Sequence, residues 1–260
     1  MAIDGKIALV TGAAQGIGQA IAERLAKDGA DVALLDLNEA SLADTKAKVE
    51  ALGRRTITIG ADVSDKAAID AAVARTADEL GGFDIMINNA GIAGPITPVE
   101  GISEADFDKI YSINVKGVLF GIQAAAAKFK ELRHGGKIIA ATSIAAHESF
   151  PMLGLYSSTK FAVRALIQAA AQELGAHGIT VNGYSPGIVG TGMWEEIDRG
   201  FAELTGAEIG ATYKKYVEGI ILGRASTPED VANFVSYLAG PDADYMTGQT
   251  PLIDGGMVFR

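Results

Sequence analysis

The sequence contains no cysteine, which excludes disulfides, thiolate metal sites and cysteine nucleophiles and fits a reducing compartment. Histidine is scarce as well: His134, His147 and His177 are scattered, so no histidine-built metal site is expected. Basic charge is in deficit, with 22 lysines and arginines against 32 acidic residues. A net charge of -10 offers no basic stripe for phosphate backbones, and no nucleic-acid partner is expected. Uninterrupted apolar runs of about 20 residues are missing too, so no membrane partner is expected. The first residues, Met1, Ala2, Ile3 and Asp4, lead into an apolar strand with neither a basic region nor a cleavage site, and the expected location is the cytoplasm.

What is present is a regular alternation. Short apolar runs alternate with segments of helical period up to about position 185, the pattern of βαβ units and a parallel sheet. Strands are predicted at Lys6 to Thr11, Asp31 to Asp36, Thr56 to Gly60, Asp84 to Asn88, Gly136 to Thr142, Ile179 to Ser185 and Thr250 to Asp254. The expected fold is α/β: a three-layer, doubly wound Rossmann fold with a seven-stranded parallel sheet, one domain over residues 1–260. Residues 190–222 break the rhythm, carry the only tryptophan, Trp194, and read as a lid over a substrate. A new helix is announced at Thr227-Pro228-Glu229, where Thr227 suits the cap, Pro228 the first helical position and Glu229 the positive end of the dipole.

Directly after the first strand stands Thr11-Gly12-Ala13-Ala14-Gln15-Gly16-Ile17-Gly18, followed by a helical pattern. Gly12 permits a tight turn, Gly16 lets backbone N–H groups approach a pyrophosphate, and Gly18 allows close packing of helix on strand. Asp36 follows 18 residues past Gly18, at the end of the second strand, where a carboxylate accepts hydrogen bonds from the adenosine ribose. It also repels a 2′-phosphate, and no Arg or Lys in the loop or at Leu37 and Asn38 offsets it, so NAD is expected over NADP.

These residues resemble the short-chain dehydrogenase/reductase family, whose phosphate loop reads T-G-x-x-x-G-x-G. The resemblance continues through Asn88-Asn89-Ala90-Gly91, Asn114, Ser143, Tyr156 and Lys160, and Pro186-Gly187 with Thr191. It implies that Asp62 and Val63 flank the adenine, that Asn89 walls the adenosine ribose, and that Ile188, Val189 and Thr191 meet the nicotinamide carboxamide. Gln15, Ile17, Leu37, Gly91 and Pro186 complete the expected cofactor set, together with Tyr156 and Lys160. The family further implies a homotetramer, and the apolar tail Met257-Val258-Phe259 is a physical hint of burial between subunits or within one.

Hydride chemistry on a secondary alcohol needs a base for the hydroxyl proton and a donor for the carbonyl oxygen. Tyr156 and Lys160 are four residues apart at the start of a helical pattern and share one face. A phenol with an ordinary pKa of about 10 is a poor base at neutral pH, but an ammonium and a positive nicotinamide both favour the phenolate. Ser143, just past a strand, supplies a hydroxyl for the substrate oxygen. Asn114 lies within a helical segment, and the resemblance assigns it a water that links Lys160 to solvent.

The residues expected around the chemistry are Ile144, Ala145, Ala146, His147, Phe150 and Met152 on one side, Gly187, Met193 and Trp194 on the other. Such a pocket is small and apolar and suits a compact ketone. The runs around Phe161, Tyr184, Thr191 to Asp198 and Asp254 to Phe259 resemble the 2,3-butanediol dehydrogenase and acetoin (diacetyl) reductase subgroup. That resemblance implies a diketone, hydroxyketone or diol substrate. With Ile144 and Phe150 beside Ser143, no side chain is offered to a second hydroxyl, which points to the (S)-acetoin-forming, (S,S)-diol type. A polyol dehydrogenase, a 3-oxoacyl reductase and a non-catalytic NAD sensor stay open at this point.

Overall fold

The computed structural model describes residues 3–259; Met1 and Ala2, part of the N-terminal reading above, lie outside the described residues. Its centre is one seven-stranded parallel sheet in the order β3-β2-β1-β4-β5-β6-β7. The strands are β1 (Ile7–Thr11), β2 (Asp31–Asp36), β3 (Thr56–Gly60), β4 (Ile85–Asn88), β5 (Gly136–Ala141), β6 (Ile179–Pro186) and β7 (Leu252–Ile253). The chain winds outward from β1 to β3, then crosses to β4 on the other side of β1. This reversal opens a crevice at the carboxyl ends of β1 and β4, where doubly wound sheets bind ligands. The predicted strands are present with ends shifted by one or two residues: Lys6, Asp84, Thr142, Thr250 and Asp254 lie outside the ladder. Only Leu252 and Ile253 of the last strand pair, in register with Ser185 and Pro186.

Both faces of the sheet are covered, so its strands read as continuous apolar runs, and every residue of β1 is buried. On one face lie α3 (Lys66–Leu80), α5 (Gly117–Leu132) and α6 (Gly154–Leu174), which bring Ile69, Val73, Val118, Phe129, Val163 and Ile167 onto Leu9, Met86 and Ile138. On the other lie α1 (Gly16–Lys27), α2 (Ala43–Ala51) and α9 (Pro228–Ala239), whose Ile21, Leu25, Val49, Val231 and Val235 meet Val10, Leu34 and Ile87. The start of α9 is as its sequence announces: Thr227 accepts the N–H of Asp230, and Asp230 answers by accepting the N–H of Thr227.

Helix α4 (Glu104–Tyr111) runs into α5 through a π-helical turn at Ser112–Lys116. The stretch Glu104–Leu132 is long and apolar enough, by length and composition, to cross a bilayer. Its apolar side instead rests on the sheet through Val118, Ile122, Ala125 and Phe129. Residues 192–218 form two further helices, α7 (Gly192–Thr205) and α8 (Ala211–Glu218), beyond the carboxyl end of β6.

Candidate functional site

One cavity of about 670 Å³ runs along the carboxyl ends of the strands, from Asp36 and Leu37 at one end to Trp194 and Tyr216 at the other. Its walls contain all the residues expected to bind the cofactor: Gly12, Gln15, Gly16, Ile17, Gly18, Asp36, Leu37, Asp62, Val63, Asn89, Gly91, Tyr156, Lys160, Pro186, Ile188, Val189 and Thr191. Ser143, Ile144, Phe150, Gly187 and Trp194, the expected substrate residues, line it as well.

The loop after β1 takes its shape from glycine. Gly12 and Gly16 have φ of 65° and 57°, in the left-handed region that costs glycine nothing. A Cβ on Gly18 would stand 2.0 Å from the Gly12 carbonyl oxygen and 2.5 Å from Asn89 Nδ2, so the turn closes only because that atom is missing. Asn89 secures the turn from the neighbouring strand by donating from Nδ2 to the carbonyls of Thr11 (3.0 Å) and Gly12 (3.2 Å). Thr11 Oγ1 in return accepts the N–H groups of Asn89 and Ala90, both at 3.0 Å. At the end of β2, Asp36 accepts the N–H of Ala14 (3.1 Å) and of Leu37 (2.8 Å), which fixes a carboxylate at the cavity rim. A glycine cradle at a helix start, with an acceptor about one strand away, fits the pyrophosphate and ribose of a dinucleotide.

At the other end the chemistry-bearing side chains meet. Tyr156 and Lys160 stand on α6, and Lys160 Nζ is 5.5 Å from the centre of the Tyr156 ring. Lys160 is 5 % exposed and donates to the Ala141 carbonyl at 2.9 Å. Ser143 begins a short 3-10 turn, and its hydroxyl accepts the N–H of Ala145 at 3.1 Å. Burial pushes the Tyr156 phenol up to about 12, against a smaller opposite pull from a hydrogen bond with Ser143. Burial likewise brings the Lys160 ammonium down to about 8. The protein alone therefore makes Tyr156 a weaker acid than free tyrosine, contrary to the direction expected from its lysine neighbour. A working phenolate needs a further positive charge beside it, such as an oxidised nicotinamide carries.

Asn114 does not line the cavity. It is fully buried in the π-helical turn, a widening that lets its amide face sideways: Oδ1 accepts the N–H of Ile92 (2.9 Å), and Nδ2 donates to the carbonyl of Ile92 (2.9 Å) and to Thr159 Oγ1 (3.2 Å). Its Oδ1 lies behind Gly91, where a Cβ would come within 3.2 Å of it and 3.7 Å of Lys160 Nζ.

Ala146, His147 and Met152 do not line the cavity; Leu153 stands there with Ile144, Ala145 and Phe150. For His147 the cause is the 3-10 turn at Ile144–Ala146, which carries its ring to Ser185, 2.9 Å from Nε2 to Oγ. Tyr184, Ile197 and Tyr216 also line the cavity; the first two lie in runs that carry the resemblance but were not among the residues expected there, and Tyr216 lies in none. Tyr184 is fully buried and donates to Asn89 Oδ1 at 2.9 Å, which orients the amide that ties down the glycine turn. Ile197 follows Trp194 by three residues on α7, so helical spacing from Trp194 was the available signal for it. Among the tail residues, Val258 is buried and its N–H reaches Asp254 Oδ2 at 2.8 Å, whereas Phe259 is 72 % exposed.

Known proteins share both the sequence and this arrangement. A family described as enoyl-(acyl carrier protein) reductase matches residues 12–258. L-2,3-butanediol dehydrogenase of Corynebacterium glutamicum is 54 % identical over 257 residues, covering 98 % of this chain and 99 % of that protein. A diacetyl reductase of Staphylococcus aureus, described as (S)-acetoin forming, is 52 % identical over 257 residues and covers 99 % of each. Among solved structures, NAD⁺-bound xylitol dehydrogenase superposes with a TM-score of 0.94 at 30 % identity, over 98 % of this chain and 100 % of that one. With the matched glycine loop, the sheet order and relatives of this likeness over nearly the whole length, the chain belongs to the short-chain dehydrogenase/reductase family of oxidoreductases.

Proposed function

We propose that this protein is an NAD(H)-dependent enzyme that reduces diacetyl to (S)-acetoin and acetoin to 2,3-butanediol, and runs the reverse oxidation of the diol. The single observation that carries the reading is the cavity itself: Ser143, Tyr156 and Lys160 gather at one end against an apolar wall, and the Asp36 carboxylate stands at the other. The names of the relatives at 52 % and 54 % identity support the substrate.

The glycine loop, Asp36, Asp62, Val63, Asn89 and residues 186–191 hold the dinucleotide, which when bound supplies the hydride acceptor or donor. Asp36 accepts from the ribose hydroxyls and disfavours a 2′-phosphate, hence NAD over NADP. Tyr156 Oη takes the proton of the alcohol hydroxyl during oxidation and returns it to the ketone oxygen during reduction. The Ser143 hydroxyl donates to that oxygen as negative charge grows on it. Lys160 favours the phenolate by its charge and holds the ribose, and Asn114 keeps a water that passes the proton between Lys160 and solvent. Ile144, Phe150 and Trp194 exclude water and present methyl-sized surfaces. A polyol fits this wall less well, because Ile144, Ala145, Phe150 and Leu153 offer no side-chain hydrogen bonds to further hydroxyls.

The whole chain works as one dinucleotide-binding domain whose segment 190–222 is the substrate lid. The enzyme acts in the cytoplasm as a homotetramer, with the exposed Phe259 ring as a candidate for burial between subunits. The test is NADH oxidation with diacetyl, racemic acetoin, a hexose ketone and an acetoacetyl thioester, repeated with NADPH and followed by chiral analysis. Diacetyl with NADH, giving (S)-acetoin, is expected to be preferred; preference for the hexose ketone, the thioester or NADPH overturns the corresponding part of the reading.

A further inference from the structure

The lid has very little core of its own. No residue of α8 is buried, and α8 packs on α7. Glycines in the left-handed region precede it, with φ of 73° at Gly206 and 90° at Gly210, and another, Gly223 with φ of 71°, lies five residues past its end. At each of these a Cβ would meet nothing within 4 Å, so they are there for the turn and not for packing. A short exposed helix between such turns is the kind of element that opens locally unless something specific holds it.

One buried side chain spans the two helices. Asp198 of α7 is 4 % exposed, and its two carboxylate oxygens accept the backbone N–H groups of Gly210 and, at 2.9 Å, of Tyr213. These are the N-cap and third residues of α8. The N–H groups of a first helical turn have no partner within their own helix. The carboxylate of one helix thus caps the next and faces the positive end of its dipole. The helix held this way carries Tyr213 and Tyr216, with ring centres 6.1 Å and 5.6 Å from that of Trp194. Trp194 and Tyr216 both line the cavity.

We infer that Asp198 is a positioning residue for the substrate pocket: by capping α8 from α7 it keeps Tyr216 against Trp194 and so fixes the apolar wall that selects a compact ketone. The selection of a ketone rests on the proposed function; the holding of α8 does not.

Trp194 is the only tryptophan, so its emission reports on the lid directly. Asp198→Ala removes both acceptors, whereas Asp198→Asn keeps the size and one acceptor oxygen, which secures the test if the alanine variant folds poorly. In dinucleotide-free protein, emission is expected to move to the red and acrylamide quenching to rise from parent to Asn to Ala. The exposed neighbour Glu196→Gln serves as the unchanged control. With saturating NADH, KM for diacetyl is expected to rise on the order of tenfold in the alanine variant, as for the loss of charge-assisted hydrogen bonds, with the NADH Kd and the far-UV unfolding midpoint unmoved. Unchanged emission, a shifted emission with unchanged KM, or an equal loss of NADH affinity and thermal midpoint overturns the inference. If the parent turns over no ketone, the proposed function fails alone, and the emission series still decides whether Asp198 holds α8.

Discussion

At the Asp36 end the cavity wall is built around the glycine turn of Gly12, Gly16 and Gly18, while at the Trp194 end the large side chains of Phe150, Trp194, Ile197 and Tyr216 line it. The glycine turn is clasped between β1 and β4 by Asn89 and Thr11, with Tyr184 behind them, and it rests on a sheet covered on both faces. The α7–α8 arm has two buried residues in α7, Ile197 and Asp198, and none in α8. A binding surface made of main chain is specified by φ/ψ and close packing, so it tolerates little change. A surface made of side chains on an exposed arm tolerates substitution and motion, and that is where substrate preference is free to vary on a shared scaffold.

The comparison breaks most sharply at Tyr156, at the chemical end of the cavity. Tyr156→Phe is expected to lower kcat by roughly 10²- to 10⁴-fold, the usual span for a lost general acid or base, with NADH binding nearly unchanged. Substantial residual turnover, measured by NADH absorbance, would remove the phenol from the mechanism. Smaller in effect is Gly18→Ala, whose new methyl must displace the Gly12 carbonyl or the Asn89 amide. Forcing a tight contact apart costs about 1–3 kcal/mol, so NADH affinity by fluorescence titration should fall about 10- to 100-fold. An unaltered Kd would show that the turn is not the rigid element described.

The smallest effect is on stability and pH. Lys160 carries a pKa of about 8 in the folded chain against the ordinary 10.5, so between these values the unfolded state binds more protons. Stability is therefore expected to rise as pH increases from about 8 to 10.5, and to be lost again as pH falls through 8. Tyr156 works the other way, but only between 10 and about 12, where the folded chain keeps a proton that the unfolded one releases. Urea unfolding at several pH values should show the first rise in the parent and not in Lys160→Met; an identical profile in both would contradict the burial of that charge.

Much of this was legible in the sequence. Apolar runs buried on both faces need no partner information to be seen as strands, and Thr227-Pro228-Glu229 announced α9 because a cap is a local event. The glycine loop and Asp36 were legible for the same reason, since a strand, a turn and a helix start lie within a few residues of each other. The position of His147 was not, because a single 3-10 turn rotates it from the pocket to Ser185. Nor was the state of Asn114, whose amide is claimed by Ile92 and Thr159 from two other segments.

The acid strength of Tyr156 marks the boundary between the two kinds of knowledge. Spacing along α6 put an ammonium near the phenol, but only the packed structure shows that burial, opposed by the Ser143 hydrogen bond, makes the phenol a weaker acid in the protein alone. Asp198 is the same lesson on the surface: in the sequence it is one acid among 32, and nothing local separates it from a solvated one. The sequence by itself determined the order of strands and helices along the chain and the turn chemistry, since these follow from short-range sterics and periodicity. Tertiary structure alone decided which polar groups leave water and which partner they find there, because desolvation depends on everything that packs around a side chain.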